Sequence, residues 1–107
     1  MTTFDDRERS EEGRFQHEQE LAFKVRNRRN KLFGLWIAQE HLGLSGEAAS
    51  SYAKDVVMAD FEAPGDSDMM GKVQADLAKV GKQVSDHMLK KHLDEFQAQA
   101  RQQVMSE

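Results

Sequence analysis

Four histidines, His17, His41, His87 and His92, are the side chains in this sequence best suited to proton transfer or metal binding. No two share the i,i+4 spacing that presents two ligands from one helix face, and His87 and His92, five apart, diverge by about 140 degrees around a helix. Serines and carboxylates are plentiful, but none stands beside a glycine-rich phosphate loop or a nucleophile elbow. The chain has no cysteine, which excludes disulfides and thiolate metal sites. The residues therefore point to no catalytic group, no metal site and no cofactor.

The other chemistry on offer is electrostatic. In Lys24-Val-Arg-Asn-Arg-Arg-Asn-Lys31, five of eight residues are cationic. A helical arginine cluster can neutralise phosphates, so a small helical nucleic-acid-binding or regulatory protein using residues 24–31 is one reading. Against it, the chain from Leu32 onward carries 12 acids and 7 basic residues, and the stretch before the run is also acidic. A duplex would meet repulsion on both sides. A solvated helix surface paired with Glu18, Glu20 and neighbouring acids is the other reading.

The elements that must position these groups are helices. With 107 residues the chain suits one domain. Apolar residues make up 38 % and charged residues 32 %, with a net charge of −4, as in a well-solvated helical protein with a small core. No apolar run approaches the about 20 residues of a membrane span, and the opening MTTFDDRERSEE lacks a signal peptide's apolar segment. A soluble intracellular protein without membrane insertion is expected.

Helical periodicity sets four segments, at about residues 20–42, 46–62, 67–80 and 86–104. In the first, Leu21, Val25, Leu32, Leu35 and Trp36 share one broad face, with Phe33 and Ile37 away from it. The half from Leu32 to Ile37 is apolar almost all round, so it should be core, with Trp36 largely buried. The half from Lys24 to Lys31 is polar in every direction and should protrude. Gly43 suits a left-handed helix end, and Ser45 can cap the second helix, whose buried stripe is Ala49, Tyr52, Ala53, Val56, Val57 and Phe61. Ala63-Pro64-Gly65 ends it. Asp66 or Ser67 can cap the third helix, with the stripe Met70, Val73, Leu77 and Val80. Gly81 stops it. Ser85 caps the fourth, Val84 can staple against Leu89, and Leu89, Leu93, Phe96, Ala100 and Val104 form its seam. Short links make neighbours antiparallel, which predicts a four-helix bundle over residues 20–107.

Residues 1–19 are left as a mobile segment. Ten of the first 20 residues are charged, and only Met1, Phe4 and Phe15 are apolar, too little to offset the entropy of ordering. Yet Thr3 stands three residues before Asp6 as in a capping box, Asp5 precedes Arg9 at i,i+4, and Phe4 and Phe15 align when helical. Gly13 weakens that helix by about 1 kcal/mol relative to Ala. The segment is either a latent helix awaiting a surface or a solvated end with no partner.

The stretches RRNKLFGLWIAQEHLG and YAKDVVMADFEAPGDSDMMGKVQADL, preceded by MTTFDDRERSEE, resemble the zeta inhibitor subunit family of alphaproteobacterial F-type ATP synthases. The likeness spans nearly the whole chain and is strongest at Arg28-Arg29-Asn30-Lys31-Leu32, Gly34-Leu35-Trp36, Ala59-Asp60-Phe61-Glu62 and Pro64-Gly65-Asp66. The resemblance implies an all-α four-helix bundle with a flexible, latent-helix N-terminal segment that blocks ATP hydrolysis by the F1 head. The segment would insert at a catalytic α/β interface near the central stalk. The implied partners are the F1-ATPase α, β and γ subunits, with a cytoplasmic location beside the inner membrane. The free chain is expected to be a monomer. The implied partner-binding residues are Phe4, Asp5, Asp6, Arg7, Glu8, Arg9 and Phe15. The basic run itself adds Arg26, Arg28, Arg29 and Lys31 as a candidate secondary contact. Gly13 and Arg14-Phe15-Gln16 depart from the pattern, standing where better helix formers and a Lys-Phe-Ala run are expected.

Overall fold

The computed structural model describes residues 3–61 and 65–107, with side chains from residue 13 onward. Four helices follow in order: α1 Thr3–Trp36, α2 Gly46–Phe61, α3 Ser67–Lys79 and α4 Asp86–Met105. No strand occurs among the described residues. The all-α four-helix architecture is thus the one the periodicity predicts, and α2 to α4 end within a residue of their expected limits. Their stops are local chemistry. Ser85 accepts the backbone N–H of Met88 at 3.2 Å as the N-cap of α4. At the end of α3, Gly81 turns left-handed at φ +71 while Lys82 N–H reaches Leu77 O at 2.9 Å and Gly81 N–H reaches Ala78 O at 3.0 Å.

The long helix takes in the segment that the sequence marked as a latent helix: it begins at Thr3, and its 34 residues run about 51 Å. No proline interrupts the helix, and before residue 20 the one glycine, Gly13, is too small a penalty to break a helix already anchored downstream. Residues Gly13 to Glu20 are exposed throughout. At the other end the helix widens into a π-helical turn, Ile37–His41, closed by Leu42 N–H to Ile37 O at 3.1 Å. Gly43 then turns the chain at φ +68.

Helix α1 lies between α2 and α4, antiparallel to both, and α3 packs on α2. The main core joins Phe33 and Ile37 to Val56, to Met69, Met70, Val73 and Leu77, and to Leu89 and Leu93. A smaller cluster sets Val25 with Ala100 and Val104, flanked by Leu21 and Leu32. The molecule is drawn out along α1, 66 Å long and 25 by 22 Å across.

Several facing assignments are corrected here. Phe33 and Ile37, placed away from the main face by the sequence pattern, are fully buried, whereas Trp36 is only partly buried against the core. The stretch Lys24 to Lys31 does not protrude: Val25 is 7 % exposed and Asn30 fully buried. Phe61 and Val80, expected on buried stripes, are 52 % and 51 % exposed, and Met69 takes the place in the core. For α1 the cause is its position between two partners: it buries two faces whose angle is set by those partners, so the longest apolar stripe need not be the innermost. Val80 stands at the C-cap of α3, past the last packed turn.

Gly34 sets the α1–α2 distance. A Cβ there would meet Ala53 Cα at 2.8 Å and Val56 Cβ at 3.1 Å. The nearest obstacle is backbone, which cannot rotate away. Gly34→Ala is therefore expected to lower stability by about 1–3 kcal/mol despite alanine's better helix propensity, as overpacking does. Phe33→Ala should cost about 3–5 kcal/mol, more than truncation of the partly buried Trp36. Urea unfolding of the two variants beside Trp36→Ala checks both the sizes and the order.

Candidate functional site

The basic run meets acids from three other parts of the chain. Arg26 grips Asp60 with two hydrogen bonds, Nε to Oδ2 at 2.5 Å and Nη2 to Oδ1 at 2.8 Å. The buried Asn30 amide donates to the same Asp60 Oδ2 at 2.8 Å. Arg29 donates to Asp66 Oδ1 at 2.7 Å and to Asn30 Oδ1 at 3.0 Å. On the other flank Arg28 donates to Gln103 Oε1 at 3.0 Å and pairs with Glu107. The arginines therefore clamp α1 to the end of α2, the start of α3 and the end of α4.

Local sequence places each member. Arg26 and Asn30 lie one turn apart, with Gly34 a further turn on, so the backbone approach at Gly34 carries both polar groups against α2. Asp60 lies one turn beyond Val56 on the buried side of α2. Asp66 occupies the N-cap position of α3 but makes no cap bond with its side chain, which is committed to Arg29 instead. Burial by itself would raise the Asp60 carboxyl, but the Arg26 and Asn30 hydrogen bonds, with the charges of Arg26 and Arg29, outweigh it and hold the group below its usual range. The bidentate arginine geometry is the strong form of such a pair.

A second polar cluster sits where α1 ends. Trp36 stacks on His92 with ring centroids 4.2 Å apart and takes the edge of His41 at 4.9 Å. His41 Nε2 is buried and has no hydrogen-bond partner. Burial first, then the charges of Lys82 and His92, push this imidazole below its ordinary value against the opposing pull of Glu40. On α2, Tyr52 donates to Asp76 Oδ2 at 2.9 Å, and burial and that bond keep the phenol protonated well above its usual value. Among the described residues no three potential ligands gather as a metal site. No described helix is long and apolar enough to cross a membrane.

The residues named from the sequence thus fall into two groups. The backbone of Phe4, Asp5, Asp6, Arg7, Glu8 and Arg9 lies on α1, and their side chains are outside the described residues. Phe15 is 61 % exposed on the same helix. Arg26 and Arg29 come together at Asp66 and Arg28 lies on the other flank; all three face the chain's own acids, while Lys31 is exposed. The pairing of the run with acids holds, though its partners are Asp60, Asp66 and Glu107 rather than Glu18 and Glu20. Asn30 and Asp60 form a buried pair that no apolar periodicity in the sequence marks. The available signal was spacing: Asn30 lies one turn from Gly34 on α1, and Asp60 one turn from Val56 on α2.

An all-α bundle that presents one long helix beyond its core is the class of protein this fold defines. The chain belongs to the ATPase inhibitor subunit zeta family, whose model matches residues 1–103. No curated protein and no solved structure matches it. The family makes the chain an inhibitor subunit of an ATPase.

Two outcomes follow from the clamp and the histidine cluster. Asp60→Ala strands Asn30 and Arg26. Because Arg26 keeps 41 % of its side chain exposed and can return to water, the cost should lie near the about 1–3 kcal/mol of a lost buried partner, below the about 3–5 kcal/mol of a fully buried broken pair. Urea midpoints measure it. For His41, the unfolded imidazole binds its proton near pH 6.5 as usual while the folded one resists, so stability is complete above about pH 6.5 and falls as pH drops through the window below it. Melting temperatures between pH 7.5 and 5.5 should decline in the wild type, by about the amount that His41→Phe abolishes.

Proposed function

We propose that the chain inhibits ATP hydrolysis by the F1 head of an F-type ATP synthase, inserting residues 2 to about 19 at a catalytic α/β interface near the central stalk. Its contacts are with the α, β and γ subunits. The observation that carries this reading is the shape of α1: one helix of 34 residues, buried between α2 and α4 over its second half and exposed from Gly13 to Glu20. An isolated helix of that composition is marginal in water, and continuity with a packed segment spares it the cost of nucleation. A rotating shaft meets a rod braced by a bundle. Phe15, exposed on that rod, supplies apolar contact, joined by Phe4 and by the charged residues Asp5, Asp6, Arg7, Glu8 and Arg9. Residues 1–19 are then the inhibitory segment and residues 20–107 the bundle that holds it. Such an inhibitor acts by binding and uses no catalytic side chain of its own.

The decisive assay adds the purified protein to F1-ATPase from its own organism and measures hydrolysis. Removal of residues 1–19 deletes no residue of either core cluster, so melting should be nearly unchanged while inhibition disappears. Gly13→Ala, with no atom within 4 Å of the new Cβ, should favour the helix by up to about 1 kcal/mol and strengthen inhibition several-fold. A truncated protein that inhibits as well as the full chain would move the inhibitory surface to the bundle.

A further inference from the structure

The bundle also exposes apolar surface on one side of the α1–α2 seam. Phe23 of α1 and Phe61 of α2 pack ring to ring at 5.7 Å, yet they remain 54 % and 52 % exposed. Met58, one turn along α2 from Phe61, is 61 % exposed. It leads into a groove of about 410 Å³ between the helices, bounded by Asn27, Val57, Ser50, Lys31 and Lys54. On α1 the face reads Phe23, Asn27, Lys31 and on α2 Lys54, Met58, Phe61, so the antiparallel helices place aromatics at one end and lysines at the other. Contiguous exposed aromatic and methionine surface with a polar rim is the composition of an interface.

Charge narrows the occupant. The chain is acidic overall, and its arginines in this region are matched with Asp60, Asp66 and Glu107. Lys31 and Lys54, by contrast, are exposed and make no ion pair among the described residues. The neighbouring Asp55 lies about 100 degrees round α2 from Lys54 and so belongs to another side. Position narrows it further. Phe23 stands three residues beyond Glu20, about 5 Å along the helix axis, so when the stretch before it is enclosed, this face lies at the mouth of the cleft.

We propose that the Phe23–Met58–Phe61 face with Lys31 and Lys54 is a second docking surface, which takes an acidic amphipathic segment of the ATPase at the rim of the inhibitory cleft. It rests on the proposed inhibition of the F1 head and adds to it a second point of attachment. An apolar side chain of the partner enters the groove beside Met58, and carboxylates one or two turns away meet the lysines. The apolar end slows dissociation, and the lysine end steers association. Two attachments on one rigid helix act together, so losing the second weakens capture without altering the final block.

The test uses the full chain throughout. Phe23→Ser/Met58→Ser and Lys31→Glu/Lys54→Glu change exposed residues, and unchanged circular-dichroism melts establish that the bundle is intact. Each pair is expected to raise the half-inhibitory concentration about tenfold or more while leaving complete inhibition at saturation. The charge-reversed pair should also lose the salt dependence of association with immobilised protein. Phe4→Asp/Phe15→Asp separates the two proposals: it should abolish inhibition yet leave weak binding of F1-ATPase, which adding Met58→Ser removes. Groove variants that bind and inhibit like the wild type overturn the second surface and leave the inhibitory segment standing. Groove-dependent binding by a wild type that fails to inhibit overturns the insertion mechanism and leaves the surface. Absence of any binding overturns both. A dimer seen by ultracentrifugation that Met58→Ser dissolves, with inhibition untouched, assigns the face to a second copy and overturns the proposal.

Discussion

The contact of Gly34 with Ala53 is the constraint on which the rest of the molecule depends. With no side chain at Gly34, the backbones of α1 and α2 come close enough that even a methyl group would collide with Ala53 Cα. That proximity lets the short Asn30 side chain reach Asp60 and lets Arg26 close on the same carboxylate one turn further away. It also sets the angle at which Phe33 and Ile37, flanking the glycine, enter the core shared by all four helices. A wider crossing would leave Asp60 buried without donors, a cost that no gain in apolar packing around it would offset.

The division of charge follows from that geometry. A run of five cations in an acidic chain has the composition of a phosphate-binding strip, and a surface strip of that kind would have to be free. Three of the five are instead satisfied by Asp60, Asp66, Gln103 and Glu107, each supplied from another element. Stretches that carry the family resemblance, around Arg28-Arg29-Asn30, Asp60 and Asp66, converge on this clamp. Those residues build the platform. What the platform holds outward is a different set: the first turns of α1, and the aromatic and lysine face beside the seam.

Helix α1 joins these roles because it is one piece. Its second half is braced by apolar contacts on two sides, through Val25 toward α4 and Phe33 toward every other helix. Its first half has no such cover at Gly13 to Glu20. Under the insertion proposed above, a load on the exposed turns would pass into a packed core. Capture of an unsupported short peptide would have to include the whole ordering cost.

Local chemistry made much of this legible in advance. Four helices, their order, the stops at Gly43 and Gly81 and the cap at Ser85 all follow from periodicity and from residues whose backbone preferences act within a turn or two. The α4 seam, from Leu89 to Val104, was readable because one strongly periodic stripe faces one neighbour. What escaped was every property that depends on two elements at once. Trp36 is bulkier and sits on the broader stripe, but Phe33 is innermost, because burial in a helix flanked on two sides is set by crossing angles rather than by residue size. Phe61, which periodicity sets on the buried stripe of α2, is exposed, and its neighbour Asp60 is buried because Arg26 and Asn30 stand opposite. The capping residue at Thr3 marked where α1 could begin, but not that the segment would be continuous with a packed helix. Composition reports the stability of an isolated segment, whereas a helix extended from a packed one starts from a nucleus that the tertiary structure has already formed.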